Sequence, residues 1–260
     1  MIPLYVINLK RQTERRELMS AHLEGVGISP IWVDAVDAQC LNPDEQAAFE
    51  TLDNWGPWGV VSNHAKGCTL SHLKALRSFL SSSEPYGCIL EDDVFVSRDL
   101  ANWLGDTAWL DAQVEVVKLE RWRDNKLLVM LGPVKSSYRG RALRPLYSKH
   151  SGAAGYIVSR VAAEAIVRDT RINVPFDHFL FHPNVSRFAK QSRVLQVVPA
   201  LIVQGNEPIN HSKRPRTNSG SILRFKQAWA RGFAELHFVL HHVFNLLIRR
   251  AWLRKIDWRD

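Results

Sequence analysis

The sequence has few cysteines, and none are spaced as a metal or disulfide framework. Only Cys40, Cys68 and Cys88 occur in 260 residues, and no two of them form a CxxC motif. Three scattered thiols exclude a zinc ribbon and a small disulfide-stapled scaffold. They favour a reducing compartment.

Long apolar runs are also missing. No stretch approaches the roughly 20 apolar residues of a membrane-spanning helix. The apolar run at residues 2–7 is followed by positive charges, whereas a secretory signal has them in front. These absences predict a cytoplasmic protein without a spanning helix.

Two common phosphate-binding loops are absent, since the chain contains neither GxGxxG nor GxxxxGK[ST]. Their absence argues against a dinucleotide-dependent dehydrogenase and a P-loop NTPase. No RRM, KH or zinc-finger signature accompanies the basic residues, so the sequence predicts no nucleic-acid partner.

The composition, with 46% hydrophobic and 23% charged residues, is that of a globular protein. Strand patterns alternate with helix patterns up to about residue 120. This order predicts an α/β fold with a mostly parallel sheet covered on both faces, and such sheets bind ligands at the carboxyl ends of their strands. Predicted strands lie at 2–8, 31–35, 86–90, 114–119, 126–131, 154–159 and 194–198, and predicted helices at 12–25, 43–52, 68–81, 160–169 and 177–181.

Positive charge is concentrated at the C-terminal end. Residues 213–260 hold 11 of the 34 Lys and Arg but 3 of the 26 Asp and Glu, so residues 1–212 carry equal numbers of each sign. We therefore predict a globular domain at 1–212 and a basic segment at 213–260. Apolar residues in this segment recur at helical spacing, at positions 222, 225, 229, 233, 236, 240, 243, 247 and 251. The pattern is typical of an amphipathic helix on an anionic membrane surface, and the alternative is that the stripe packs on the domain.

Three consecutive carboxylates, Glu91, Asp92 and Asp93, follow the predicted strand at 86–90. Their mutual repulsion is offset most simply by a divalent cation, and hard oxygen ligands favour Mg²⁺ or Mn²⁺. On an extended chain Glu91 and Asp93 point the same way, which makes them the metal-side pair. The alternative is an acidic turn that caps a helix.

Basic residues follow the first predicted strand, where Lys10, Arg11, Arg15 and Arg16 lie next to a helix N-terminus. This arrangement predicts a binding site for a diphosphate or nucleotide.

Together with these stretches, several short blocks resemble glycosyltransferase family 25, the bacterial lipooligosaccharide galactosyltransferase type. The blocks are VINLKRQTERR at 6–16, VDAVDA at 33–38, GCTLSH at 67–72, ILEDDV at 89–94, VVKLE at 116–120, GAAGYIVS at 152–159 and PFDHFL at 175–180. The resemblance implies a GT-A-type Rossmann-like fold. It also implies inverting transfer of a hexose, usually galactose from UDP-galactose, onto a saccharide acceptor, aided by Mn²⁺ or Mg²⁺.

Carried onto this chain, the resemblance assigns roles to particular positions. It makes Glu91 and Asp93 the motif that bridges metal and diphosphate, with His211 as a further candidate metal ligand. The candidate donor-binding residues are Asn8, Leu9, Arg11, Arg15, Ala35, Asp37, Lys66, Ser71, His72 and Asp92.

Inversion by direct displacement needs a carboxylate that deprotonates the acceptor hydroxyl. Asp177, at the predicted start of a helix after Pro175, is the candidate base, and a plain helix cap is its alternative role. Glu120 is the second candidate, although Lys118 and Arg121 are placed to pair with it.

These expectations describe a transferase at the cytoplasmic face of the inner membrane, acting on a lipid-linked saccharide of lipopolysaccharide or lipooligosaccharide. Two alternatives stay open. A nucleotidyl- or phosphotransferase uses the same acidic metal site but releases pyrophosphate or phosphate. A catalytically inactive domain of this type only binds a membrane or a partner.

Overall fold

The structure is a computed structural model. It describes residues 1–51, 55–56, 59–122, 127–169, 173–205, 229, 232, 236, 238–248 and 250–260.

Strands and helices alternate in the first half of the chain, and strands predominate in the second. The helices are α1 (Thr13–Gly25), α2 (Pro43–Thr51), α3 (Asn63–Leu80), α4 (Leu100–Gly105), α5 (Arg160–Arg168), α6 (Phe176–Phe181) and α7 (Arg187–Gln191). The strands are β1 (Leu4–Asn8), β2 (Ile31–Asp34), β3 (Trp55–Gly56), β4 (Gly59–Val60), β5 (Tyr86–Glu91), β6 (Val94–Val96), β7 (Val116–Lys118), β8 (Glu120–Arg121), β9 (Leu128–Leu131), β10 (Ser136–Tyr138), β11 (Arg141–Pro145), β12 (Gly155–Ser159), β13 (Val194–Val198), β14 (Ile202–Gln204) and β15 (Trp252–Lys255).

Eight strands form one mixed sheet in the order β10-β11-β13-β7-β12-β5-β1-β2. Strand β1 pairs in parallel with both β2 and β5, and β13 pairs in parallel with β7. Strand β12 lies antiparallel between β5 and β7, and β11 lies antiparallel to β13. The protein is therefore a mixed α/β fold with a large central sheet, which confirms the predicted α/β class. The expected mostly parallel sheet is wrong, because β12 inserts antiparallel between β5 and β7, and β10 and β11 extend the sheet with antiparallel pairs.

Both faces of the sheet are covered around β1, which explains why all five residues of this strand are buried. In β1, Tyr5 and Ile7 join the core beneath α3, α5 and α6. Leu4 and Val6 point the other way and join the core beneath α1 and α4. Because β1 pairs in parallel with β2 and β5, the carboxyl ends of these three strands lie together at one edge of the sheet.

A second sheet, in the order β6-β14-β8, brings distant parts of the chain to that edge. Strand β14 pairs antiparallel with β6 and parallel with β8, with Gln204 opposite Val94 and Ile202 opposite Glu120. The acidic turn between β5 and β6 and the start of β8 are therefore neighbours of the same strand.

The last ten residues pack on the body of the protein. Strand β15 pairs antiparallel with β9, and Ala251 and Ile256 are buried. The buried Arg141 guanidinium donates to the carbonyl oxygen of Arg259 (2.9 Å) and to Asp99 Oδ2 (3.0 Å). The segment 213–260, predicted as a membrane-associating appendage, therefore includes a strand that belongs to the fold.

Residues 238–247 are helical, and the apolar stripe of this segment faces away from the body. Leu240 and Leu247 are 73% and 76% exposed, whereas Phe238 and Asn245 on the other side are buried. Positions 222, 225 and 233 of the predicted stripe lie outside the described residues. Within the part of the chain that the structure describes, every helix is too short or too polar to cross a bilayer.

Candidate active site

The carboxyl ends of β1 and β2 form one wall of the candidate site. The amide of Ala35 donates to the carbonyl oxygen of Asn8 (2.9 Å), which ties the two strand ends together. Just beyond them, Arg11 Nε donates to Asp37 Oδ2 (2.5 Å). The Arg11 side chain keeps the pKa of Asp37 below its ordinary value. This wall therefore presents a half-exposed guanidinium held in place by a carboxylate.

Asp92 links the end of β5 to this wall. Asn8 Nδ2 donates to Asp92 Oδ2 (2.6 Å), and Arg15 Nη1 lies 3.3 Å from Asp92 Oδ1. Burial raises the pKa of Asp92, and the hydrogen bond from Asn8 and the charge of Arg15 partly offset this effect. Asp92 is thus bound by two protein side chains, and these contacts connect the end of β5 to β1 and α1.

Glu91 turns toward α3. Strand β5 ends at Glu91, and Asp92 and Asp93 form a turn, so the alternation of an extended chain does not continue through the motif. Glu91 Oε1 lies 3.3 Å from His72 Nε2, and Gln204 Nε2 donates to Glu91 Oε2 (3.4 Å). The expected same-side placement of Glu91 and Asp93 therefore rested on an extended geometry that the chain does not adopt here.

Asp93 is the least compensated carboxylate of the motif. Its Oδ1 is buried and has no hydrogen-bond partner among the described residues. Burial first, then the charges of Glu91 and Asp92, raise its pKa to about 7. A buried carboxylate oxygen without a donor, beside two further carboxylates, fits a hard divalent cation such as Mn²⁺ or Mg²⁺.

Glu120 lies behind the acidic turn, with Lys118. Both side chains are fully buried, and Lys118 Nζ donates to Glu120 Oε2 (3.0 Å). Burial raises the pKa of Glu120 to about 7 and lowers that of Lys118, and each side chain offsets the shift of the other. The amide of Ala154 also donates to Glu120 Oε2 (3.0 Å), while Oε1 has no partner in the described structure.

Gly152 connects this buried pair to Asp177. Lys118 Nζ donates to the carbonyl oxygen of Gly152, and the amide of Gly152 donates to Asp177 Oδ2 (3.0 Å). Gly152 has φ +85°, and a Cβ there would lie 2.2 Å from Glu120 Oε1. Only glycine fits this position, so the sequence requires it for both conformation and space.

Asp177 lies in the first turn of α6, but Pro175 is the N-cap residue. Asp177 Oδ1 accepts from the amide of His178 (2.9 Å). The alternative role of a plain N-cap therefore does not describe Asp177, whose second oxygen is tied to the Gly152 peptide.

Helix α3 carries the three other predicted donor-binding residues. It begins at Asn63, five residues before the predicted start, because Ser62 caps it by accepting from the amide of Ala65 (3.2 Å). Ser71 Oγ donates to the carbonyl oxygen of Gly67 (2.7 Å) and accepts from the amide of Val36 (2.8 Å). The Ser71 hydroxyl thus joins α3 to the end of β2, and Lys66 is buried on the same helix.

The structure brings most of the predicted residues to one edge of the sheet. The residues that follow β1, β2 and β5 meet there, with His72 below them and Glu120 and Asp177 beside them. Leu9 and Ala35 lie half-buried directly after β1 and β2. His211 lies outside the described residues.

Three further residues at this edge were not assigned a role from the sequence. The sequence predicts Lys118 only as a partner of Glu120, although a lysine two residues before a glutamate in an apolar strand is itself a signal of a buried pair. Gln204 and Tyr156 left no comparable signal, because their proximity to Glu91 and His72 arises from pairing with strands far away in the chain.

The chain is similar in sequence to known glycosyltransferases. The profile described as glycosyltransferase family 25 (LPS biosynthesis protein) matches residues 1–180. The chain is 29% identical over 247 residues to the lacto-N-neotetraose biosynthesis glycosyltransferase LgtB of Neisseria gonorrhoeae, covering 86% of this chain and 84% of that protein. It is 30% identical over 216 residues to LgtE of the same organism, covering 77% of this chain and 73% of that protein.

A more distant relative extends over nearly the whole chain. The lipooligosaccharide biosynthesis protein lex-1 of Haemophilus influenzae is 23% identical over 293 residues, covering 98% of this chain and 92% of that protein. Among solved structures, a glycosyltransferase involved in glycosylation of the major capsid of PBCV-1 aligns with a TM-score of 0.40 at 12% identity, covering 88% of this chain and 98% of that one.

Proposed function

Because the chain belongs to glycosyltransferase family 25, we propose that it transfers a hexose, galactose from UDP-galactose in the first instance, to a saccharide of lipopolysaccharide or lipooligosaccharide. The observation that carries the proposal is Asp93, a buried carboxylate whose Oδ1 has no partner among the described residues at the edge where three parallel strands end. Open α/β sheets bind their ligands at this edge.

The donor lies along the ends of β1, β2 and β5. Asp93, with Glu91 beside it, would hold Mn²⁺ or Mg²⁺, which supplies positive charge for the diphosphate leaving group. Arg11 is half-exposed and already oriented by Asp37, so it is placed to contact the nucleotide. Asn8 and Arg15 act through Asp92, which they fix in position.

The acceptor hydroxyl loses its proton to Asp177. The acceptor oxygen then forms a bond to the anomeric carbon on the face opposite UDP, and the bond from that carbon to the diphosphate oxygen breaks with its electron pair leaving on UDP. This single displacement inverts the configuration. The proton stays on the Asp177 carboxylate until solvent removes it.

The geometry favours Asp177 over Glu120 as the base. Glu120 is fully buried and binds Lys118 and the amide of Ala154, so an acceptor sugar has no access to it. Asp177 is 22% exposed. Lys118 and Gly152 act as positioning residues, since they orient the oxygen of Asp177 without contacting substrate.

A membrane-bound acceptor accounts for the exposed apolar residues near the C-terminus. Leu236, Leu240, Val243 and Leu247 are all exposed at helical spacing, while basic residues surround the segment. Such a helix binds the interface of an anionic bilayer through its apolar side. We therefore place the protein at the inner-membrane face, where lipid-linked saccharides are available.

The test combines binding and product analysis. UDP and UDP-galactose are titrated calorimetrically into the protein with Mn²⁺ or with EDTA, and released UDP is assayed with a saccharide acceptor. We expect binding that depends on metal, loss of that binding in Asp93→Asn, and unchanged binding in the exposed-surface control Glu24→Gln.

The base has its own variant. Asp177→Asn is expected to bind UDP as the wild type does but to transfer sugar at least about a hundredfold more slowly. Release of phosphate or pyrophosphate instead of UDP would support the phosphotransferase alternative. Absence of UDP binding under every condition would contradict the proposal.

A further inference from the structure

Behind the acidic turn, three chemically different ligand groups converge. Cys68 and His72 lie one helical turn apart on α3 and face Glu91 at the end of β5. Glu91 Oε1 lies 3.3 Å from His72 Nε2 and 4.0 Å from Cys68 Sγ. The sulfur, nitrogen and oxygen atoms all lie within 4.8 Å of one another, which is the spacing that one metal ion can span.

We propose that Cys68, His72 and Glu91 form a zinc-binding site next to the proposed Mn²⁺ or Mg²⁺ site at Asp93, with the Glu91 carboxylate common to both sites. A thiolate and an imidazole select Zn²⁺ over Mg²⁺ and Mn²⁺, which prefer oxygen ligands alone. Three protein ligands leave one position of a tetrahedral ion open. The Glu91 side chain is 26% exposed, so the site is accessible to solvent on the Glu91 side.

The protein holds the histidine ready for a metal. His72 is fully buried and stacks on Phe176 with ring centroids 4.4 Å apart. Its Nδ1 lies 3.2 Å from the hydroxyl of Tyr156, which leaves Nε2 directed at Glu91. A hydrogen bond on the far nitrogen orients a metal-binding imidazole, and removing such a partner typically weakens metal binding about 10–100-fold.

The Glu91 carboxylate is also held in place, by a hydrogen bond. Gln204 Nε2 donates to Glu91 Oε2 at 3.4 Å, so Oε1 is the oxygen turned toward the sulfur and the imidazole. When zinc binds, Cys68 loses its thiol proton to solvent and His72 binds as the neutral ring. The inference does not depend on the proposed transferase activity, because it rests on the donor atoms alone.

Cobalt(II) tests the site directly, since a cobalt–thiolate bond gives an intense charge-transfer absorption that oxygen and nitrogen ligands do not give. We expect the reduced protein to develop this band with one equivalent of Co²⁺ and to lose it on addition of Zn²⁺, which binds such sites more tightly. An excess of Mg²⁺ leaves the band in place. The band persists in Asp93→Asn, the variant that removes the proposed donor site.

Cysteine variants supply the matched comparison. Cys68→Ser abolishes the band, whereas Cys40→Ser, at an exposed cysteine, retains it. Tyr156→Phe lowers the affinity for Co²⁺ by at least about tenfold. No band in the wild type, or a band that survives in Cys68→Ser, would overturn the proposal.

A second measurement needs no variant. Iodoacetamide alkylation of the wild type is followed by mass spectrometry of the peptides that contain Cys40 and Cys68. Zn²⁺ is expected to slow modification of Cys68 at least about tenfold and to leave Cys40 unaffected. Equal rates at Cys68 with and without Zn²⁺ would contradict the site even if the variants failed to fold.

Discussion

Replacing Asp93 by asparagine should make the metal-free protein more stable while removing its proposed donor site. The pKa of Asp93 is raised from 3.8 to about 7, mainly by burial. A carboxyl group with a raised folded-state pKa contributes its full stability below pH 3.8, and this stability is lost as the pH rises toward 7. Asparagine carries no charge at either end of this range.

The size of the effect follows from the two pKa values. One pKa unit corresponds to about 1.36 kcal/mol, so above pH 7 the buried charge lowers the free energy of unfolding by on the order of 4 kcal/mol. At pH 5 the buried charge lowers the free energy of unfolding by between about 1 and 2 kcal/mol. The amide of asparagine also needs hydrogen-bond partners, so we expect Asp93→Asn to raise the midpoint of thermal unfolding by roughly 5–10 °C at pH 8 and by less than half of that at pH 5.

The assay is thermal unfolding followed by circular dichroism in EDTA at both pH values, repeated at pH 8 with Mn²⁺. Manganese should stabilise the wild type and leave Asp93→Asn unchanged. Glu24→Gln, at an exposed position on α1, serves as the control and should shift neither midpoint measurably. A midpoint of Asp93→Asn below that of the wild type at pH 8 in EDTA would refute the reasoning, as would an equal gain at pH 5 and pH 8.

Two further predictions concern the rest of the molecule. Gly152→Ala should lower the free energy of unfolding by at least about 2 kcal/mol, measured by denaturant titration, because φ is +85° and the new Cβ would lie 2.2 Å from Glu120 Oε1. An unchanged denaturation midpoint would show that the local backbone can rearrange. The double variant Leu240→Ser with Leu247→Ser should weaken binding to vesicles of anionic phospholipid by at least about tenfold in a sedimentation assay, because both side chains are exposed on one helical face. Val161→Ser, at another exposed apolar position, should leave vesicle binding unchanged, and equal loss in both proteins would refute the assignment of the apolar face.

Elements with strong local signals were predicted closely. Strand β13 has the predicted bounds, and the strand that ends at the acidic motif was extended by one residue only. Other strands were missed, among them β14 and β15, because their identity depends on pairing with strands distant in the sequence, β14 with β6 and β8 and β15 with β9. The pairing of β15 with β9 joins residues more than a hundred positions apart, which no local pattern encodes.

For the candidate site as well, features that depend on local sequence were predictable and contacts between distant segments were not. The run of carboxylates at a strand end predicts Glu91 and Asp93 as metal ligands, and this stays a prediction. The parallel pairing of β1 with β2 and β5 brings Asn8, Ala35 and Asp92 together as expected. The direction of each side chain was beyond sequence reasoning, because it depends on the turn at 92–93. Contacts such as that of Tyr156 with His72 join segments 84 residues apart.

Only three residues separate Ile248, at the end of the exposed apolar segment, from Trp252, where β15 begins. Since β15 is paired with β9, the chain that follows the apolar segment is anchored to the body of the protein. If the protein binds lipid through this segment, as proposed, the pairing of β15 with β9 would hold the sheet at a set distance from the bilayer. The number of sugars between the lipid and the acceptor hydroxyl would then select which molecules the proposed transferase extends, in addition to recognition of the terminal sugar.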